Sequence, residues 1–300
     1  MMTYRFCKNI LLLSLTSLLF TPVTSICSVP KSTNVVVYSA TGWGGVGEYS
    51  DIWTRAFFAW FSAAQVPSSP LEVAFVTDAT ELSTYYTDGC KLSDSNAFPS
   101  LVLYVHPGGS ADNASTSLGP GGRDNILDFA ASLNGHLMAT CAGFYYLAGT
   151  YWWKDTFYPE AWMPHLFPTV EGDITAIATY PNYAPTTLDD GRTVIYWGGP
   201  TLGLNHTGAS LPFPTSKLLA SFNAQSLPHT LPAAIQYNGQ YVRALLNSPH
   251  PEAQSGVGLS CSAPLPPGCI TLKQQLENWI WLAKEINALT GQEWIIPTKL

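Results

Sequence analysis

The stretch Leu137-Met138-Ala139-Thr140-Cys141-Ala142-Gly143-Phe144-Tyr145-Tyr146 constrains the fold of this chain more than any other. An apolar run ends at Cys141, small residues follow at once, and helix-compatible residues then resume. A strand that turns sharply into a helix lifts the residue at the turn above the sheet and tolerates only small neighbours, because bulk would meet adjacent strands. A thiol at such a turn sits at a helix N-terminus, whose partial positive charge favours the thiolate, and the backbone N–H of Ala142 faces a developing oxyanion. The same residues also suit a buried structural cysteine. A base elsewhere in the chain decides between the two.

Ser248-Pro249-His250-Pro251-Glu252 offers one. A catalytic cysteine needs an imidazole to take its proton and a carboxylate to fix the ring, and His250 and Glu252 supply both. In the order Cys, His, Glu, the chain resembles class I glutamine amidotransferase-like domains. It is most similar to the N-terminal domain of biotin-protein ligases, through Cys141-Ala142-Gly143-Phe144-Tyr145, Pro107-Gly108-Gly109 and His250-Pro251-Glu252. Val35-Val36-Val37-Tyr38-Ser39 and Trp197-Gly198-Gly199-Pro200 add softer matches, and the resemblance spans roughly residues 33 to 255. It implies Cys141 as nucleophile, His250 as base and Glu252 as its orienting carboxylate. It also implies an oxyanion hole from Gly109, with Gly108 beside it, opposite Ala142. Asp112 matches an acidic residue after Pro-Gly-Gly, either a substrate contact or a turn former. The first glycine of the elbow pattern is Ala139 here.

The compartment is read from the N-terminus and the cysteines. Arg5 and Lys8 precede an apolar segment from Ile10 to Phe20, and Pro22-Val23-Thr24-Ser25 offers small residues for cleavage, so residues 1–25 read as a signal peptide. The apolar run is short of the ~20 residues a spanning helix needs, and no stable membrane anchor is expected after cleavage. The expected product is secreted, with one domain over 26–300. Of the six cysteines, Cys7 leaves with the signal. Cys27, Cys90, Cys261 and Cys269 allow three pairings, of which Cys27 with Cys90 and Cys261 with Cys269 are favoured, leaving Cys141 free. Asn113-Ala114-Ser115 and Asn205-His206-Thr207 are glycosylation sequons, which makes Asn113 and Asn205 the expected acceptors.

Charged residues are only 11% and the formal charge is −7, with no Lys/Arg cluster, so a nucleic-acid partner is not expected. His106, His136, His165, His206 and His229 are scattered without ligand spacing, and no metal or cofactor is expected.

Taken in order, Thr33–Ser39, Leu71–Thr77 and Leu101–Val105 are unalternated apolar runs suited to parallel strands covered on both faces. The glycines at 42, 44, 45 and 47 lack a Walker lysine. Ser50 or Asp51 is expected to cap a helix to about Ala64, and a second helix is expected over Arg123–Leu133. This rhythm predicts an α/β, flavodoxin-like doubly wound sheet, mostly parallel, with the site at the carboxyl ends of its strands. Asp173–Tyr180, Arg192–Trp197 and a hairpin turning at Asn238-Gly239 are expected to form an antiparallel β extension in the second half, its last strand delivering His250. Thr271 and Gln274 form a capping box for a closing helix over 271–290, with Leu272, Leu276, Trp279, Ile280, Ala283 and Ile286 on one face. Tyr145, Tyr146, Trp152 and Trp153 either stack on a substrate ring or pack the core.

Two functions fit. One is a secreted Cys-His-Glu hydrolase acting on a small-molecule or peptide amide or a related acyl bond. The other is a non-catalytic secreted binding module that keeps the scaffold. With 48 residues after Glu252 and no adenylate loop, ligase chemistry is not expected.

Overall fold

The computed structural model describes residues 26–202, 215–223, 231–257 and 269–300. The expected signal peptide, Cys261 and Asn205 lie outside the described residues. The first half runs β1 (Val35–Tyr38), α1 (Glu48–Ala63), β2 (Val73–Val76), α2 (Thr80–Ser83), β3 (Leu103–His106), α3 (Ala111–Ala130), β4 (His136–Thr140) and α4 (Ala142–Ala148). After it come β5 (Thr150–Trp153), β6 (Thr156–Pro159), β7 (Val170–Gly172), β8 (Ala184–Thr187), β9 (Thr193–Tyr196), β10 (Ser216–Ser221), β11 (Pro232–Asn238), β12 (Arg243–Asn247) and α5 (Leu272–Thr290).

One seven-stranded sheet has the order β10-β11-β12-β4-β3-β1-β2. Its strands from β12 to β2 are parallel, and β10 and β11 are antiparallel. Numbered by themselves in chain order, the five parallel strands fall 2-1-3-4-5, the flavodoxin-like doubly wound order.

The apolar runs lack alternation because both faces are covered. Val36, Tyr38, Tyr104, Leu137 and Leu246 meet Ile126 and Phe129 of α3 and Phe144 of α4. Val35, Val37, Leu103, Met138 and Leu245 face the other way, onto Phe57 and Phe61 of α1 and Trp279, Leu282 and Ile286 of α5. This is the period-two consequence of strand geometry. Each fully buried large side chain contributes about 1.5–3 kcal/mol.

Several elements differ from their sequence expectation. Helix α1 begins at Glu48 behind Gly47 and has no side-chain cap, so neither Ser50 nor Asp51 caps it. The backbone is held there by Gly47, whose N–H donates to the Gly108 carbonyl at 2.9 Å. Helix α3 starts at Ala111, far ahead of Arg123, and is interrupted where Gly119 takes φ 56° before Pro120. The Ser110 hydroxyl caps its start by accepting from the Asn113 N–H.

The segment after Asp173 is not a strand. The Asp173 carboxylate accepts from the Tyr180 N–H at 2.8 Å, and Ile177 and Ala178 donate to the Ile174 carbonyl, closing a turn. Strand β9 pairs with β8 in a separate two-stranded sheet, so it does not join the antiparallel extension. The hairpin of β11 and β12 is present, but Asn238 pairs with Arg243 and the loop is Gly239 to Val242. Neither Asn238 nor Gly239 has the positive φ of a type I′ turn.

Helix α5 carries the expected capping box and ends at Gly291 in the left-handed region. Of its expected face Trp279, Ala283 and Ile286 are buried, Leu276 and Ile280 are half-buried and Leu272 is exposed, while Gln275, Asn278, Leu282 and Leu289 join the buried side.

Candidate active site

The loops after β1, β3, β4 and β12 meet at the carboxyl ends of the parallel strands, where a doubly wound sheet leaves a crevice. Cys141 is the single residue between β4 and α4, with φ 51° and ψ −113°. A non-glycine residue there is strained, and the surroundings hold it: its N–H donates to the Asn247 carbonyl at 2.9 Å, and its own carbonyl accepts from Phe144. Gly143 is required by close approach, since a Cβ there would overlap the His106 carbonyl at the end of β3. Ala139, buried in β4, fits where the resemblance has glycine. The turn is therefore the strained elbow that the small residues imply.

His250 and Glu252 follow β12 and are each 1% exposed. The His250 N–H donates to the Ile195 carbonyl of β9 at 2.8 Å, which fixes the backbone. Its Nδ1 lies 2.9 Å from Glu252 Oε1, and the Trp53 ring meets the imidazole edge-on at a centroid distance of 5.3 Å. Trp279 Nε1 donates to the Glu252 backbone carbonyl at 3.0 Å. Burial pushes the imidazole's pKa down, but the charge of Glu252, joined by the Cys141 sulfur, outweighs it and raises His250 from 6.5 to about 10. His250 Nε2 is buried and makes no hydrogen bond among the described residues.

Gly108 packs between these groups. A Cβ there would come 2.7 Å from His250 Cε1, 2.8 Å from Ser50 Oγ and 3.1 Å from Cys141 Cβ. Gly109, at φ 152°, lies against the Gly45–Gly47 turn, where a side chain would collide with backbone. The N–H groups of Gly109 and Ala142 donate to no acceptor among the described residues, so both are available to a developing negative charge. The Cys141 thiol at rest donates to the Trp197 carbonyl at 3.3 Å.

Two cavities open on Cys141. One, of about 540 Å³, is walled by the Gly42–Gly47 turn, Glu48, Ser50 and His250. The other, of about 250 Å³, is walled by Asp112, Ala142 and a group of aromatic rings. Cys141, Gly109, Ser110, Tyr180 and Trp197 border both.

Asp112 and Tyr145 thus lie at the second cavity. The Tyr145 hydroxyl is committed to the Gly198 carbonyl at 2.9 Å, and the Asp112 carboxylate accepts from Tyr151. Tyr146 is wholly buried and stacks on His106, a core role.

Sequence reasoning missed Ser50, read as a helix cap, and the contribution of Tyr151, Tyr158 and Tyr180. Their only sequence signal is the density of aromatics between Tyr145 and Tyr183.

Away from the site, Cys27 and Cys90 form the expected disulfide. Glu81 lies near both sulfurs, but neither is left as a thiolate to hold a metal. The Cys261–Cys269 pairing falls outside the described residues through Cys261. Asn113 sits half-buried in the first turn of α3, with Ser115 buried, and not on the surface loop a sequon suggests. Among the described residues no helix is long and apolar enough to cross a membrane.

A scan against protein-family models finds no match, and a search of curated proteins finds no relative. Among solved structures 28 chains match. One of them is described as a glutamine amidotransferase, with a TM-score of 0.44 at 16% identity, covering 71% of this chain and 91% of that one. A likeness at that score is one of outline.

Proposed function

We propose that the protein is a cysteine hydrolase acting on an amide or related acyl bond, with Cys141 as nucleophile, His250 as base and Glu252 as the carboxylate that orients it. The observation that carries this is a thiol on a strained strand-to-helix turn, sharing a cavity with a buried imidazole that is itself held by a buried carboxylate.

In this mechanism Cys141 Sγ attacks the carbonyl carbon as a thiolate paired with the His250 imidazolium, the protonated form that the charge of Glu252 favours. The carbonyl oxygen becomes an oxyanion facing the N–H groups of Ala142 and Gly109. The C–N bond breaks and the leaving amine takes the proton from His250. Water then attacks the thioester, giving a proton to His250, and the carboxylic acid leaves as the thiolate–imidazolium pair is restored. Before attack Cys141 Sγ turns from the Trp197 carbonyl to face the imidazole, in keeping with the loose hydrogen bonds of unliganded sites.

The three ordered motifs support a closer kinship with the N-terminal domain of biotin-protein ligases. Arg5, Lys8 and the apolar run after them, together with the Cys27–Cys90 disulfide, support action in an oxidising, extracytoplasmic compartment. The resting bond from Cys141 to Trp197 favours the second reading, a binding module with an inert thiol.

Iodoacetamide labelling of Cys141 at pH 7, followed by mass spectrometry, separates the two. The hydrolase reading expects His250→Ala to slow labelling at least about tenfold, as the thiolate share at pH 7 falls toward that of a free cysteine with a pKa of about 8.5. Equal rates in the two proteins refute it.

A further inference from the structure

The smaller cavity beside Cys141 has a composition that the hydrolytic chemistry does not require. Six aromatic rings border it: Tyr145, Tyr151, Trp153, Tyr158, Tyr180 and Trp197. Five of them brace one another, with centroid distances of 4.8 Å for Tyr145–Tyr151, 4.9 Å for Tyr151–Tyr158, 5.9 Å for Tyr145–Trp153 and 5.5 Å for Trp153–Tyr180. Asp112 is the one charged residue among those lining the cavity, and none of them is Lys, Arg or His. Tyr151 donates to Asp112 Oδ1, which leaves Oδ2 without a partner among the described residues.

Ring faces attract cations through their quadrupole, and a carboxylate beside them adds a counter-charge. An anion would find no donor charge here, and a purely apolar group would leave Asp112 unanswered. Burial, and then the charge of Asp112, hold the Glu160 carboxyl above its ordinary value, so Asp112 is the acid that answers a cation here. The net charge of −7 draws the same class of ligand.

We infer that this cavity seats a cationic group, a protonated amine, guanidinium or quaternary ammonium, carried by the substrate whose acyl carbon is presented to Cys141. The inference rests on the hydrolase reading for the word substrate. The cation preference of the cavity stands apart from it.

The test compares two thiol reagents of one shape. Trimethylammonioethyl methanethiosulfonate carries a positive charge, and its tert-butylethyl isostere carries none. In each reaction Cys141 Sγ attacks the sulfenyl sulfur, a mixed disulfide forms and methanesulfinate leaves. After division by the rate with a small free thiol, the charged reagent is expected to modify Cys141 at least tenfold faster than the isostere. The ratio should fall at least fivefold in Asp112→Asn and in Trp153→Leu.

A second measurement needs no variant: choline should slow iodoacetamide labelling of the wild-type protein, and its carbon isostere dimethylbutanol should not. Equal rates for the two methanethiosulfonates, or equal protection by the two alcohols, overturn the inference and leave an apolar or ring-stacking cavity. A cation preference that persists while His250→Ala leaves iodoacetamide labelling unchanged would sink the hydrolase and keep the cation site. The reverse outcome would do the opposite.

Discussion

Nδ1 of His250 and Oε1 of Glu252 lie 2.9 Å apart, with both side chains almost wholly removed from water. The imidazole therefore holds its proton more tightly in the folded protein than in the unfolded chain. The pair stabilises the fold fully below pH 6.5, and that contribution is lost as pH rises through about 10.

Glu252→Gln removes the carboxylate charge and leaves burial opposed only by the Cys141 sulfur. His250 should then titrate well below its wild-type value, as read by NMR of the labelled imidazole. Breaking one side of a buried pair should cost about 3 kcal/mol at neutral pH. The difference between wild type and variant should narrow above pH 10. A variant with an unchanged unfolding midpoint and an unchanged imidazole titration would mean that the pair does not form.

Gly108→Ala tests the packing between base and nucleophile. The added methyl would stand 2.7 Å from His250 Cε1 and 3.1 Å from Cys141 Cβ, closer than carbon atoms pack. One of the two must move. Overpacking of this kind costs about 1–3 kcal/mol. Iodoacetamide labelling of Cys141 should slow by more than the loss of folded fraction explains. A variant that labels at the wild-type rate would show that the geometry around Gly108 is not needed for thiol reactivity.

Much of this arrangement was legible in the sequence, and the reason is steric. The small residues around Cys141 are there because β3 passes close by, and the unalternated strands are there because helices cover both faces of the sheet. What was not legible comes from contacts between distant segments. Ser50 reads locally as a cap, yet Gly47 and Gly108 pin the backbone three residues earlier and turn Ser50 toward the cavity. The aromatic wall draws on α4, β5, β6 and two irregular loops, which share no period. Asp173 reads as the start of a strand, but its carboxylate closes a turn. The face of α5 was legible at Trp279, Ala283 and Ile286 but not at its first turn, where Leu272 is exposed and burial starts at Gln275.

Cys27→Ser with Cys90→Ser should lower stability by about 4 kcal/mol, because the bridge closes a loop with a sequence separation of 63 residues. Urea unfolding of the double variant, compared with wild type under oxidising and reducing conditions, reads this directly. Reduction should destabilise the wild type by about that much more than it destabilises the double variant. Neither Cys27 nor Cys90 lines the cleft, so folded double variant should label at Cys141 at the wild-type rate. A slower rate would tie the disulfide to the site.

Trp279→Phe tests a residue argued to act through Glu252. Phenylalanine keeps a ring against Phe57 and Trp60, but it leaves the buried Glu252 carbonyl without the indole N–H now 3.0 Å away. An unsatisfied buried acceptor costs about 1–3 kcal/mol, so the thermal midpoint should fall accordingly. Loss of stability alone is also what a purely structural tryptophan would show. Leu282→Ala supplies the comparison: it removes bulk from the same face of α5 at a cost of about 2–5 kcal/mol and touches no group of the site in the hydrogen-bond pattern. If Trp279 positions Glu252, the imidazole titration of His250 moves downward in Trp279→Phe and stays in place in Leu282→Ala. If both variants leave it where it was, Trp279 is core packing and the carboxylate is held by its own loop.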